Sequence, residues 1–267
     1  MTKEKYNTVN TVWDTKLQQF HGGQDWKYLD NFIEDFSVTT NALGTPKSAL
    51  EASIEAVTKT SLAQFLWPDD YTKHSDKLLL GNGASELIDL VIRSAPNGTW
   101  KPGPWDVQYK EYQRSAENNG QIILSPQDTT RATLSCIVNP CNPTGDYKNV
   151  AEMKKWILDN VEEGGVVIVG MPELIDRLKV ISNAIVMFHQ DPMFAWEFYG
   201  NDFLSWVWIN MKTAKIAEDA VDKAKAAGVP VRSGKPGYNR PTYVRVAVRE
   251  PSKVDFLIRA WKYLGTQ

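Results

Sequence analysis

The sequence predicts an α/β fold: a parallel-sheet α/β unit followed by a smaller C-terminal α+β unit. Three observations carry that prediction. Short apolar runs alternate with amphipathic helical stretches between residues 77 and 170, the order a parallel sheet with right-handed crossovers requires. A strand meets a helix through Gly81-Asn82-Gly83. Beyond residue 203 two strand-like runs, "FLSWVWINM" and "TYVRVAVR", are each followed by a helical pattern. The 267 residues, 42% of them hydrophobic and 23% charged, suit one large globular domain or two modest ones.

The elements follow in order. Residues 1–34 are polar with scattered aromatics and form an arm or a first short helix. "DFSVTTNALGTP" (35–46) starts as a strand and runs into the turn residues Asn41, Gly44 and Pro46. "SALEASIEAVTKTSLAQFL" (48–66) has helical spacing, with Ser48 as N-cap and Glu51 three residues on. "WPDDYTKHSD" (67–76) is loop. "KLLLGNGASELIDLVIRSA" (77–95) is a strand, a glycine turn and a helix with Leu87, Ile88, Val91 and Ile92 on one face. The start of that helix offers free backbone N–H groups and the positive end of a dipole, which suit a phosphate. Taken alone, the stretch reads first as a plain strand-to-helix turn. Residues 96–104 are a Pro/Gly loop, and "YKEYQRSAENNG" (109–120) is a helix stopped by Asn-Gly.

Strands at Gln121–Leu124 and Thr133–Val138 come next, and the second runs into "CIVNPCNPTG" (136–145). Two Asn-Pro steps and a glycine make this a stiff, specific turn at a strand end. A helix at Val150–Asn160, a strand "GGVVIVG" and a helix "PELIDRLKVI" (172–181) continue the alternation. Residues 182–203 show no clean period. "AKIAEDAVDKAKAAG" is a helix ending at Gly228, and "SKVDFLIRAWKYL" is an amphipathic helix. The boundaries expected are an arm with a loop at 1–46, a large α/β domain at 47–185 and a small α+β domain at 186–267.

A formal charge of −2 and a pI near 6.0 provide no general attraction to nucleic acid or to an anionic membrane. No apolar run approaches a bilayer span, and "MTKEKYNTVNTVWDTK" lacks a signal-peptide core, so a cytoplasmic location is expected. Cys136 and Cys141 are the only cysteines, which argues against a disulfide scaffold. With His21, His74 and His189 they make no zinc spacing, and no metal is expected. The sequon at Asn97 matters only in a secreted chain. Ten Trp point to a large core or a sizeable pocket.

Several stretches then fall into one order: "HGG" (21–23), "DFSVTTNALG" (35–44), "GNGASELI" (81–88), "QYKEYQRSAENNG" (108–120), "NPCNPTG" (139–145) and "YVRVAVR" (243–249). In that order the chain resembles the fold type I pyridoxal-phosphate aminotransferases, in the group of histidinol-phosphate aminotransferase and threonine-phosphate decarboxylase. The resemblance covers about residues 21 to 265. It implies the pyridoxal-phosphate-transferase form of the αβα fold, pyridoxal phosphate as cofactor, an amino acid or phosphorylated amino acid as substrate, and a homodimer. It places Gly83, Ala84 and Ser85 at the cofactor phosphate, Tyr109 on the ring face and Asn142 at the phenolic oxygen. Asn41 falls in the substrate loop, although Ala42 follows it where the family usually has Pro. Arg245 is placed at the substrate carboxylate, a task for a planar bidentate fork, with Arg249 as the second candidate. In "TYVRVAVR", alternation puts Val244, Val246 and Val248 toward the core and Tyr243, Arg245 and Ala247 on the other side.

The family also needs a lysine that forms the Schiff base and an aspartate at the pyridine nitrogen. Gly170 stands where that acid belongs, and no "S-L-T-K" stretch occurs. Lys179 is the only lysine between Gly165 and Met211, in a helix whose family counterpart follows the catalytic segment. "VVIVGMPELIDRLK" therefore reads as a seam, with an internal deletion between about 169 and 203, natural or from a spliced or faulty gene model. No catalytic residue is assigned. The expectations are an aminotransferase relative with impaired activity or a non-catalytic relative that binds cofactor, phosphorylated amino acid or a dimer partner. An unrelated α/β phosphate-binding module is the third.

Overall fold

The structure, a computed structural model, describes residues 29–39, 47–59, 81, 83–170, 196–201 and 204–264. Asn41, Lys179, the helix expected at 172–181 and the strand expected at 77–80 lie outside these residues.

Helix α1 (Lys47–Lys59) starts one residue before the expected cap, so Ser48 lies in its first turn. Lys47 pairs with Glu51 at 3.6 Å, engaging the carboxylate that a Ser48 capping box would have used. Helix α2 (Ala84–Ser94) and helix α3 (Glu111–Asn118) pack on a parallel sheet of strands β1 (Thr99–Pro102), β2 (Ile122–Ile123), β3 (Ala132–Val138) and β4 (Val161–Gly170). The strand order is β2-β1-β3-β4, with Trp100 opposite Ile123 and Leu134, and Cys136 opposite Ile168. Helix α4 (Val150–Asn160) crosses between β3 and β4. Its start is closed by a capping box in which Asn149 Oδ1 accepts from the Ala151 and Glu152 amides and Glu152 accepts from the Asn149 amide.

Strand β1 corrects the loop expected at 96–104. Its Pro and Gly residues read as loop, yet Pro102 only closes the strand, and Trp100 is fully buried beneath α2 and α3. Lys101 is buried too, because its ammonium donates to Asp128 O (2.5 Å) and Asn160 Oδ1 (2.7 Å).

The second sheet is antiparallel, in the order β5-β6-β8-β7: β5 (Glu197–Tyr199), β6 (Trp206–Asn210), β7 (Arg232–Ser233) and β8 (Tyr243–Ala247). Strand β5 came from the stretch without a clean period; three residues on a sheet edge are too few to show one. Helices α5 (Ala214–Ala226) and α6 (Pro251–Trp261) cover one face around Val207, Ile209, Val244, Val246, Leu257 and Trp261. The valines of β8 point into this core, and Arg245 and Ala247 face the other way, as alternation predicts.

Residues 31–38 run as a strap along this unit. Ile33 and Glu34 amides donate to Gly228 O, Phe36 N to Pro230 O and Ala247 N to Phe36 O, and Phe36 is fully buried. Gly228 has φ +74°, and a Cβ there would come within 2.0 Å of Asn31 O, so this helix end needs glycine for conformation and for room.

Lys110 is also buried, at the start of α3. Burial pulls its ammonium down from 10.5 to about 7, and the nearby Arg240 guanidinium adds to the effect. The folded chain thus holds this amine neutral where the unfolded chain holds it protonated. The unfolded state binds more protons between about pH 7 and the ordinary lysine value, so stability should rise with pH across that window. Lys110→Met should flatten this rise and should stabilise most at or below about pH 7, on the order of 2–5 kcal/mol. Urea unfolding of both proteins at about pH 6 and about pH 9.5 measures the difference.

Candidate functional site

The site lies at the carboxyl ends of β3 and β4, where open parallel sheets offer a crevice. A cavity of about 470 Å³ opens there, within the usual range of about 300–1,000 Å³ for small-molecule sites. Ala84, Leu87, Tyr109, Tyr112, Asn142 and Gly170 are among its walls.

Gly83 is the residue before α2, with φ +82° and ψ 170°, a conformation open essentially to glycine. It has no side chain to cap the helix, so the first amides of α2, those of Ala84, Ser85 and Glu86, have no cap partner from it. A hydrogen bond joins Ser85 to the Tyr109 hydroxyl. Burial raises the Tyr109 phenol above its ordinary value, against the Ser85 bond, which lowers it. Tyr109 stands edge-on to Tyr112, with ring centroids 6.3 Å apart.

The Asn-Pro turn joins the two sheets. Its first asparagine is structural: Asn139 donates through Nδ2 to Lys148 O (2.9 Å) and accepts from the Lys148 amide (3.0 Å), zipping the loop shut. Both Asn-Pro bonds are cis. Trp206 Nε1 of β6 donates to Pro143 O (2.7 Å), and Asn201 Nδ2 donates to Gly145 O (3.0 Å). A Cβ on Gly145 would lie 2.5 Å from Leu204 Cδ1, so this glycine permits the close approach.

The second asparagine faces the cavity. Arg245 Nη1 donates to Asn142 Oδ1 at 2.6 Å. An arginine only donates, so the Asn142 oxygen is fixed toward it, and Nδ2 is the end left to donate elsewhere. Arg245 Nη2 donates to Ser37 O at 2.7 Å. Arg245 is 6% exposed, its Nε is buried without a partner, and no carboxylate among the described residues pairs with it. Arg249, the second candidate, differs. Its Nε donates to Glu34 Oε1 (3.2 Å) and Asp35 O (3.0 Å), Nη1 to Val248 O and Nη2 to Val38 O (2.8 Å). It holds the strap.

The structure thus brings Ala84, Tyr109 and Asn142 to one cavity, while Gly83 and Ser85, which flank Ala84 in the chain, are not among its lining residues and Arg245 is hydrogen-bonded to Asn142. Asn41 lies outside the described residues. Lys110 follows Tyr109 in the chain but is not among the lining residues; its neighbours are Arg240 and Cys141. Sequence reasoning missed Ser37, whose carbonyl left no sequence signal. It also missed Tyr112, in the first turn of α3 just after Tyr109, which reads from sequence as an ordinary core aromatic.

No family model matches the sequence, and no curated protein matches it either. Solved structures do. The histidinol-phosphate aminotransferase from Clostridium acetobutylicum superimposes with a TM-score of 0.65 at 17% identity, over 86% of this chain and 98% of that one. The histidinol-phosphate aminotransferase from Sinorhizobium meliloti, solved with pyridoxal-5'-phosphate, gives 0.67 at 13% identity, over 94% and 97%. The L-threonine-O-3-phosphate decarboxylase from Porphyromonas gingivalis gives 0.62 at 12% identity, over 88% and 100%. The carboxyl-end cavity, the turn that bridges two sheets and these superpositions agree: the chain has the fold of the pyridoxal-phosphate-dependent aminotransferases.

Proposed function

We propose that the cavity is a pyridoxal phosphate site and that the chain is an aminotransferase relative that holds the cofactor and an amino-acid carboxylate with little or no turnover. The observation that carries this reading is the Arg245–Asn142 pair, which engages the oxygen of a cavity-lining amide and leaves its Nδ2 as the donor for a ligand. The residues suit the cofactor. The amides at the start of α2 bind a phosphate, the Tyr109 ring covers an aromatic face, and Asn142 Nδ2 donates to a phenolic oxygen without adding charge. Arg245 is a buried cation whose described partners are an amide oxygen and a carbonyl, and a substrate carboxylate is the counter-ion such a group requires.

When bound, pyridoxal phosphate supplies an electron sink for chemistry at the amino acid's Cα. Turnover further requires a group that moves a proton at that carbon. None of the described lining residues carries an amine, and the family's lysine motif has no match in the sequence. General acid–base help of this kind is worth about 10²–10⁴-fold.

Three outcomes test the reading. The purified chain should take up pyridoxal phosphate in equilibrium dialysis, yet borohydride treatment should leave no mass adduct, and amino-group exchange should stay at background. A covalent adduct would overturn the proposed impairment, and peptide mapping would identify its lysine. Gly83→Val should abolish binding of phosphate esters, because a β-branched residue cannot hold φ +82° and the amides would turn away; unchanged affinity in a phosphate-ester titration would count against the site. Arg245→Lys should weaken a bound amino-acid carboxylate by about 1–3 kcal/mol, read by calorimetry with cofactor present.

A further inference from the structure

The deep end of the cavity holds a group that the proposed function does not use. Tyr112 is 6% exposed, and its ring packs with Ile88, Trp100, Leu134 and Val138. Its hydroxyl has no hydrogen-bond partner among the described residues, although Tyr112 lines the cavity. The hydroxyl is open to the cavity rather than sealed in the wall, so an acceptor on a ligand there can take its hydrogen bond.

Gly170 at the end of β4 explains how the phenol came to lie there. A Cβ built on Gly170 would sit 2.0 Å from Tyr112 Oη and 3.0 Å from its Cζ. The hydroxyl thus fills the space into which any side chain at position 170 would begin to grow. Around it, Val138 and Ile168 are apolar. The other polar groups of the cavity already have directions: Tyr109 toward Ser85, and Asn142 with its oxygen on Arg245. Burial pushes the Tyr112 phenol up to about 12, so near neutral pH it keeps its proton and remains a donor.

We propose that the Tyr112 hydroxyl donates a hydrogen bond to an unprotonated ring nitrogen of the bound ligand, so that the site selects a heteroaromatic phosphate ester with a neutral acceptor at that edge. This rests on the cavity taking pyridoxal phosphate. A carboxylate beside a pyridine stabilises the protonated ring by charge pairing. A neutral phenol in an apolar wall provides no such charge and hydrogen-bonds the free base instead. The ring nitrogen is then recognised but not charged, and the bound ring is the weaker electron acceptor. Recognition without turnover follows from the same residue.

The test compares two ligands and two proteins by equilibrium dialysis of the full chain at about pH 8. One ligand is pyridoxal phosphate, and the other is its carbocyclic analogue with C–H in place of the ring nitrogen. The wild type should bind pyridoxal phosphate about two- to tenfold more tightly, the range for one neutral hydrogen bond. Tyr112→Phe removes only the hydroxyl and should abolish the preference while still binding both. Equal binding by the wild type, or a preference that survives in Tyr112→Phe, overturns the role of Tyr112 and leaves the cofactor site standing. Failure of the wild type to bind pyridoxal phosphate at all overturns the site and this role together. As a second readout, ¹⁵N NMR of ring-labelled pyridoxal phosphate should show a pyridine-type nitrogen in the wild type, and a pyridinium-type resonance overturns the proposal.

Discussion

One buried guanidinium organises the molecule. Arg245 reaches out of β8 and ties the Asn-Pro turn through Asn142 and the N-terminal strap through Ser37. Three parts of the chain, remote in sequence, thereby share one cation that has left water. Such a group is costly unless every donor is met, and its Nε is still unmet. The position of β8 against the parallel sheet, the direction of the Asn142 amide and the course of the strap all follow from satisfying it. Trp206 and Asn201 reinforce the same junction by donating to carbonyls of the turn.

Most of the framework was legible because it is written in local periods. The helix at Val150–Asn160 was read with the bounds the structure gives it, and its Asn149 capping box emerged only in the structure. The face of Arg245 followed from strict alternation with three valines. What escaped had its cause elsewhere. Strand β1 looked like loop because Gly98, Pro102 and Gly103 are turn residues, and only the burial of Trp100 between two strands reveals its place. Strand β5 exists because Trp208, Ile209 and Asn210 offer it an edge. The site residues came from motif order, but their coupling did not. Asn142 and Arg245 lie 103 residues apart, and nothing in either stretch states that one fixes the other.

Arg245 of β8 and Arg249 just beyond its end show how hydrogen-bond partners separate two residues that composition cannot. They lie four residues apart in the chain, both are nearly fully buried, and both touch the strap. Arg249 has a carboxylate, Glu34, at 3.2 Å and carbonyls on its remaining nitrogens. Its charge is spent on structure. Arg245 has an amide oxygen and a carbonyl, so no carboxylate among the described residues balances its charge. A hydrogen-bond tally ranks Arg249 the better-satisfied residue and leaves Arg245 with an unmet Nε, which is why the proposed carboxylate role falls to Arg245.

The strap has a further consequence for how the chain is made. Its partners lie almost at the other end of the sequence: Asn31 donates to Ala226 O, 195 residues on, and Glu34 meets Arg249, 215 residues on. During synthesis the strap emerges from the ribosome early, at a pace of about 5–20 residues per second, long before its groove exists. Phe36 must therefore stay out of the core while the parallel sheet assembles. The antiparallel unit closes over it only once β8 has been translated. The strap is thus made about 200 residues ahead of the groove that receives it, and it finds its place only when that groove exists.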